Sequence, residues 1–155
     1  MPLQEGDPAP AVAAETQDGA VVEPEFEAPT VLYFYPKDET PGCTVEARQF
    51  QLELDSYREA GVTVYGVSMD DAESHRSFCD AEGLEFDLLA DPDGEVVETF
   101  GVERREIQGH TVPARTTFVL AEGEVKAVYD GVDPDGHARA VLSDLLDRGL
   151  ATLPE

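Results

Sequence analysis

With 155 residues, 41% of them hydrophobic, the chain is long enough to bury a core of its own and reads as one domain over residues 1–155. Ten basic against 34 acidic side chains give a formal charge of −24, a field that repels phosphate backbones and anionic lipid surfaces and so argues against nucleic acid and membrane as partners. The longest strongly apolar run, Val31 to Tyr35, falls far short of the roughly 20 residues a membrane helix needs, and a soluble, cytoplasmic protein is expected.

In chain order, Ala11 to Glu23 carries Asp18-Gly19 between short apolar pieces and reads as a hairpin, because Asp-Gly supplies the positive φ such turns require. Thr30 to Tyr35 is β-branched and aromatic without interruption, the pattern of a strand buried on both faces, and Pro36 stops it. From Cys43 to Ala60 the apolar positions Ala47, Phe50, Leu54 and Tyr57 follow helical spacing, with Gly61 placed as a C-terminal cap. Val62 to Ser68 reads as a second buried strand, and Asp71 as the N-cap of a helix from Ala72 to Glu82. Phe86 to Ala90 adds a strand and Glu95 to Phe100 a short helix. Thr116 to Ala121 and Glu124 to Tyr129 flank Glu122-Gly123 as an antiparallel hairpin. Ala138, Val141, Leu142, Leu145 and Leu146 form the apolar stripe of a last helix, closed by Gly149. Strand-helix units followed by a hairpin and a helix describe an α/β fold: a central mixed sheet flanked by helices, with an N-terminal β-hairpin, consistent with a thioredoxin-like arrangement.

The chain has two cysteines, Cys43 and Cys79, too few for a secreted disulfide framework. Cys43 falls at a helix start, where unpaired backbone N–H groups and the positive end of the helix dipole favour an anion and hence the nucleophilic thiolate. Thr40, three residues earlier, can aim its hydroxyl at the sulfur or at an oxygen bound there; helix capping is its other reading. Pro36 adds a rigid wall without a donor. Such a pocket suits two adjacent oxygen atoms, stabilises charge on the leaving one and limits water, as peroxide cleavage demands.

The spacing Pro36, Thr40, Cys43 resembles the Pro-x-x-x-Thr/Ser-x-x-Cys motif of the peroxiredoxins, specifically their bacterioferritin-comigratory or Q-type branch. The resemblance covers nearly the whole chain: Gly6-Asp7-Pro8-Ala9-Pro10 is similar to the family's opening, Pro41-Gly42-Cys43-Thr44 to its active-site turn, and Arg115-Thr116-Thr117-Phe118 to the strand carrying its active-site arginine. It implies a thiol peroxidase that reduces hydrogen peroxide and organic hydroperoxides through a sulfenic acid on Cys43, with Arg115 reaching the sulfur from a distant strand. It also implies a thioredoxin-like protein as reductant. Many members of the branch carry a second cysteine five residues after the first, and here Arg48 stands at that position. Another form places the partner in the next helix, which makes Cys79 the candidate resolving thiol, closing an intramolecular disulfide; its other reading is core packing beside Phe78. No cysteine follows Cys79, so a monomer is the default.

Other chemistries find less support. A dithiol oxidoreductase needs Cys-x-x-Cys where the chain has Cys43-Thr44-Val45-Glu46, and a glutathione-peroxidase relative needs a tryptophan that the composition lacks. A cysteine hydrolase needs a histidine base against Cys43. His75, His110 and His137 show no paired metal spacing and read as surface or capping residues, while Asp91-Pro92-Asp93-Gly94-Glu95 and Asp133-Pro134-Asp135-Gly136 read as turns rather than calcium loops. No cofactor or metal is expected. Lys37 and Arg48 read as solvated charges. A redox-sensing or holdase-like binding protein without turnover is the alternative outside enzymology. With Arg outnumbering Lys eight to two, the acidic composition is halophile-like, suited to a cytoplasm whose salt screens self-repulsion.

Overall fold

The β-branched and aromatic run identified in the sequence forms strand β3 (Thr30–Phe34), every residue of which is buried. Its period of two sends Val31, Tyr33 and Tyr35 to one face of a sheet and Leu32 and Phe34 to the other, and each set enters a separate apolar cluster. The computed structural model describes residues 2–152. Around β3 it builds a seven-stranded mixed sheet from β1 (Ala14–Thr16), β2 (Val21–Val22), β4 (Thr63–Ser68), β5 (Asp87–Ala90), β8 (Thr116–Ala121) and β9 (Glu124–Tyr129), in the order β2-β1-β5-β4-β3-β8-β9. The β3–β4 and β4–β5 pairs are parallel; β1–β2, β1–β5, β3–β8 and β8–β9 are antiparallel.

Helices α1 (Pro41–Glu59), α2 (Ala72–Glu82) and α4 (His137–Asp147) place Phe50, Tyr57, Phe78, Cys79, Val141 and Leu145 in the cluster shared with Tyr33, whereas α3 (Glu95–Phe100) places Val96, Val97 and Phe100 against the opposite face. Tyr33 and Phe50 stack with centroids 4.4 Å apart. Gly66, opposite Tyr33 in the parallel register, leaves room for that ring: a Cβ there would lie 2.7 Å from Leu88 and 3.0 Å from Tyr33.

Asp71 caps α2 as expected, accepting from the Ser74 amide at 2.8 Å, and Gly61 takes its left-handed place after α1 with φ of 77°. Helix α1 begins two residues before Cys43, because Pro41 has the fixed φ that suits the first helical position. The hairpin of β6 (Arg104–Ile107) and β7 (His110–Pro113) was not evident in the sequence. Every residue of β6 is exposed, so no apolar alternation marks it; the turn signal is Gln108-Gly109, both at positive φ. Among the described residues no helix is long and apolar enough to cross a membrane.

Candidate active site

Strand β3 runs out at Tyr35, whose amide still bonds the Val67 carbonyl, and the chain turns through Pro36 to Thr40 into α1. Glu39 takes a positive φ of 62° in this turn, and Thr40 is extended immediately before Pro41. The turn delivers Cys43 as the third residue of α1, among the backbone N–H groups that the helix leaves unpaired, with 1% of its surface exposed.

The register of the sheet explains how a residue far along the chain reaches it. Antiparallel pairing sets Phe34 opposite Thr116, so Arg115, one step before β8, stands beside the point where β3 becomes the turn. Arg115 Nη2 donates to Cys43 Sγ at 3.4 Å, and Nη1 donates to Glu46 Oε1 at 2.6 Å. Gly42 admits the guanidinium: a Cβ at that position would sit 3.1 Å from Nη2. Burial works against the charge of Arg115, but the Glu46 carboxylate and the Cys43 sulfur outweigh it and hold the group above its ordinary value.

Glu46 escaped the sequence reading. It is fully buried, its Oε2 has no hydrogen-bond partner, and burial raises its carboxyl to about 7, with Arg115 pulling in the other direction. Its signal lay in the helix periodicity: Glu46 falls on the buried stripe of Cys43, Ala47, Phe50, Leu54 and Tyr57, where an acid needs a partner.

Thr40 occupies the N-cap position but does not cap. Its hydroxyl donates to the Lys37 carbonyl at 2.9 Å, which leaves the oxygen free to accept. Pro36 and Arg115 line a cavity of about 590 Å³ whose apolar wall includes Val112, Pro113, Ala114 and Val132, with Arg105, Ile107 and Asp130 also on its lining. Cys79 is free and buried in the same apolar cluster as Cys43, and its thiol is pushed up to about 12 by burial, with the Asp38 and Asp80 carboxylates adding to the effect.

The reading of the histidines as surface or capping residues is corrected for two of them. His75 and His137 are buried, whereas His110 is exposed. His137 Nε2 pairs with Thr117 Oγ1 at 2.8 Å, and burial, with Arg115 adding, lowers it to about 4, so it stays neutral. His75 meets Asp38 rather than Cys43. Asp38, Asp70 and His75 present ligand atoms within 4.8 Å of one another, but each is engaged by a hydrogen-bond partner, and the cluster is a polar network rather than an open metal cradle. Lys37 and Arg48, read as solvated charges, are paired with Asp70 and Glu82.

Residues 5–128 match the AhpC/TSA family. The chain is 39% identical over 148 residues to Peroxiredoxin Bcp of Escherichia coli strain K12, covering 92% of this chain and 95% of that one. The crystal structure of Peroxidoxin BcpB from Mycobacterium tuberculosis superposes with a TM-score of 0.85 at 30% identity, covering 94% and 97% of the two chains. A structure of the Xanthomonas campestris bacterioferritin comigratory protein, solved for insight into its alkyl peroxide reduction activity, matches with a TM-score of 0.81 at 32% identity, over 88% and 91%. The mixed sheet, its flanking helices and these likenesses agree: the chain belongs to the AhpC/TSA family, in its peroxiredoxin Bcp and Q branch, and is a thiol peroxidase with a thioredoxin-like fold.

Proposed function

We propose that Cys43 is the peroxidatic thiolate and that the carrying observation is the Arg115 hydrogen bond to its sulfur at the start of α1. The thiolate attacks the terminal oxygen of a hydroperoxide. The S–O bond forms as the O–O bond breaks, Cys43 becomes a sulfenic acid, and the leaving alkoxide or hydroxide takes a proton and departs as alcohol or water. Arg115 supports the anionic sulfur and then the developing negative charge, in a site where Pro36 limits water. Thr40, its own hydrogen committed to Lys37, offers a lone pair to the peroxide O–H and so orients it. The cavity beside Arg115 and Pro36 accommodates the organic group of an alkyl hydroperoxide; hydrogen peroxide needs no such room.

Cys79 is the resolving thiol. Its sulfur attacks the sulfenic sulfur, an S–S bond replaces S–O, and the released hydroxide leaves as water with the Cys79 proton. A thioredoxin-like dithiol then reduces the intramolecular disulfide, becoming oxidised itself. The protein works as a single-domain monomer in the cytoplasm. Cys43→Ser removes peroxide consumption in the presence of a dithiol, while Cys79→Ser accumulates sulfenic or over-oxidised Cys43. Residual wild-type rates in Cys43→Ser would end the assignment of Cys43, and peptide mapping that finds Cys79 free during steady turnover would leave a one-cysteine enzyme.

A further inference from the structure

Helix α2 is fastened to the turn that precedes Cys43 by a buried polar network that the peroxidatic chemistry does not use. His75, fully buried at the end of the first turn of α2, lies one helical turn before Cys79 and on the same face. Its Nε2 faces the Leu89 carbonyl at 3.0 Å; a carbonyl only accepts, so Nε2 carries a hydrogen. Its Nδ1 lies 2.7 Å from Asp38 Oδ2, and one hydrogen holds that contact whichever partner owns it. Asp38 stands two residues before Thr40 and is itself buried. Its carboxylate also accepts from the Tyr35 hydroxyl at 2.6 Å and from Ser74 Oγ of α2 at 2.8 Å. Its amide donates to Asp70, which Lys37 and Ser68 hold in turn. One carboxylate on the Cys43 side thus grips two residues of the Cys79 helix.

We propose that the Asp38–His75 contact is the latch that keeps α2 docked on the peroxidatic turn, and that its release is what presents Cys79 to the oxidised Cys43. His75 is a positioning residue for the resolving step, and the inference rests on Cys79 as the resolving thiol. Docked, Cys79 is sheltered and held protonated by burial and by the same Asp38 that grips the helix. Released into water, it loses both influences and becomes an ordinary thiol, with a free-cysteine value of about 8.5. Undocking therefore moves the nucleophile and arms it in one event, so the latch delays disulfide formation without touching the first step.

The test uses full-length reduced protein and one equivalent of hydrogen peroxide, reading sulfenic acid and disulfide separately by quenched alkylation and intact mass. His75→Gln and Ser74→Ala should form the sulfenic acid at the wild-type rate and close the disulfide up to about tenfold faster, the factor that a hydrogen bond of about 1.4 kcal/mol carries. Alkylation of Cys79 in the reduced protein should quicken in parallel. Val141→Ala, which loosens the core from α4, should leave the disulfide rate unchanged; an equal acceleration there would mean general destabilisation and overturn the latch. Should His75→Gln fail to fold, Ser74→Ala gives the same reading from a gentler change. Equal disulfide rates in wild type and both α2 variants sink the latch alone, whereas a wild type that forms no Cys43–Cys79 bond ends both the latch and the resolving role of Cys79.

Discussion

Arg115 serves two partners with one planar group: one arm bonds the Cys43 sulfur and the other a Glu46 carboxyl oxygen. A lysine offers a point charge without that fork and cannot reproduce both bonds. Arg115→Lys should lower kcat/KM for hydrogen peroxide about 100-fold, the typical cost of one preorganised donor, as read by stopped-flow peroxide consumption. Glu46 makes the opposite demand on the fold. Its carboxyl is raised from 4.5 to about 7, chiefly by burial, so between those values the folded chain keeps a proton that the unfolded chain releases. The stabilising contribution is complete below about 4.5 and is lost as pH rises through 7, a swing of roughly 3 kcal/mol at 1.36 kcal/mol per unit. Glu46→Gln should flatten that slope in denaturant melts between pH 5 and 8 relative to wild type; an unchanged slope would show that Glu46 is ionised throughout.

At the level of elements, the helices were legible where their ends are written in local chemistry. Asp71 before α2 and Gly61 after α1 stand where the sequence placed them. Asp71→Ala should cost about 1 kcal/mol, checked by urea melts, and should loosen amide protection first in the opening turn of α2. What stayed hidden depends on partners distant in sequence. His75 shares the i, i+3, i+4 face of Phe78 and Cys79, a spacing that marks it for burial; its partners stayed hidden, because Asp38 and Leu89 come from another turn and another strand. The family resemblance, not periodicity, brought Arg115 to Cys43; the physical cause is the β3–β8 register, which no local pattern encodes. The β6–β7 hairpin lacked apolar alternation because β6 buries nothing, and only its Gln108-Gly109 turn marked it. Thr40 was open between capping and chemistry, and its oxygen accepts from no amide of the first turn, so it does not cap α1.

For the molecule as a whole, the charge of −24 is the dominant long-range term. Several of the few basic side chains are already tied to acids, as in Arg76 with Asp18 and Arg148 with Glu5, which leaves a large surplus of carboxylates repelling one another. Raising salt toward 1 M, where the Debye length is roughly 3 Å, should raise Tm in calorimetry; a Tm that falls with added potassium chloride would contradict the halophile-like reading. The same field acts on substrates. Hydrogen peroxide is neutral, whereas a fatty-acid hydroperoxide carries a carboxylate that the surface repels, so kcat/KM for the latter should rise more steeply with salt.

The two-stranded β6–β7 sheet lines the cavity beside Pro36 and Arg115 yet shares no ladder with the seven-stranded sheet that positions Cys43. The protein therefore divides its labour between a chassis and a collar. Mutation can reshape Arg105 or Ile107 without disturbing the strands that position Cys43, because those exposed residues belong to the collar alone. Such a separation lets preference among bulky hydroperoxides drift over evolutionary time while the ability to destroy the smallest one is inherited intact.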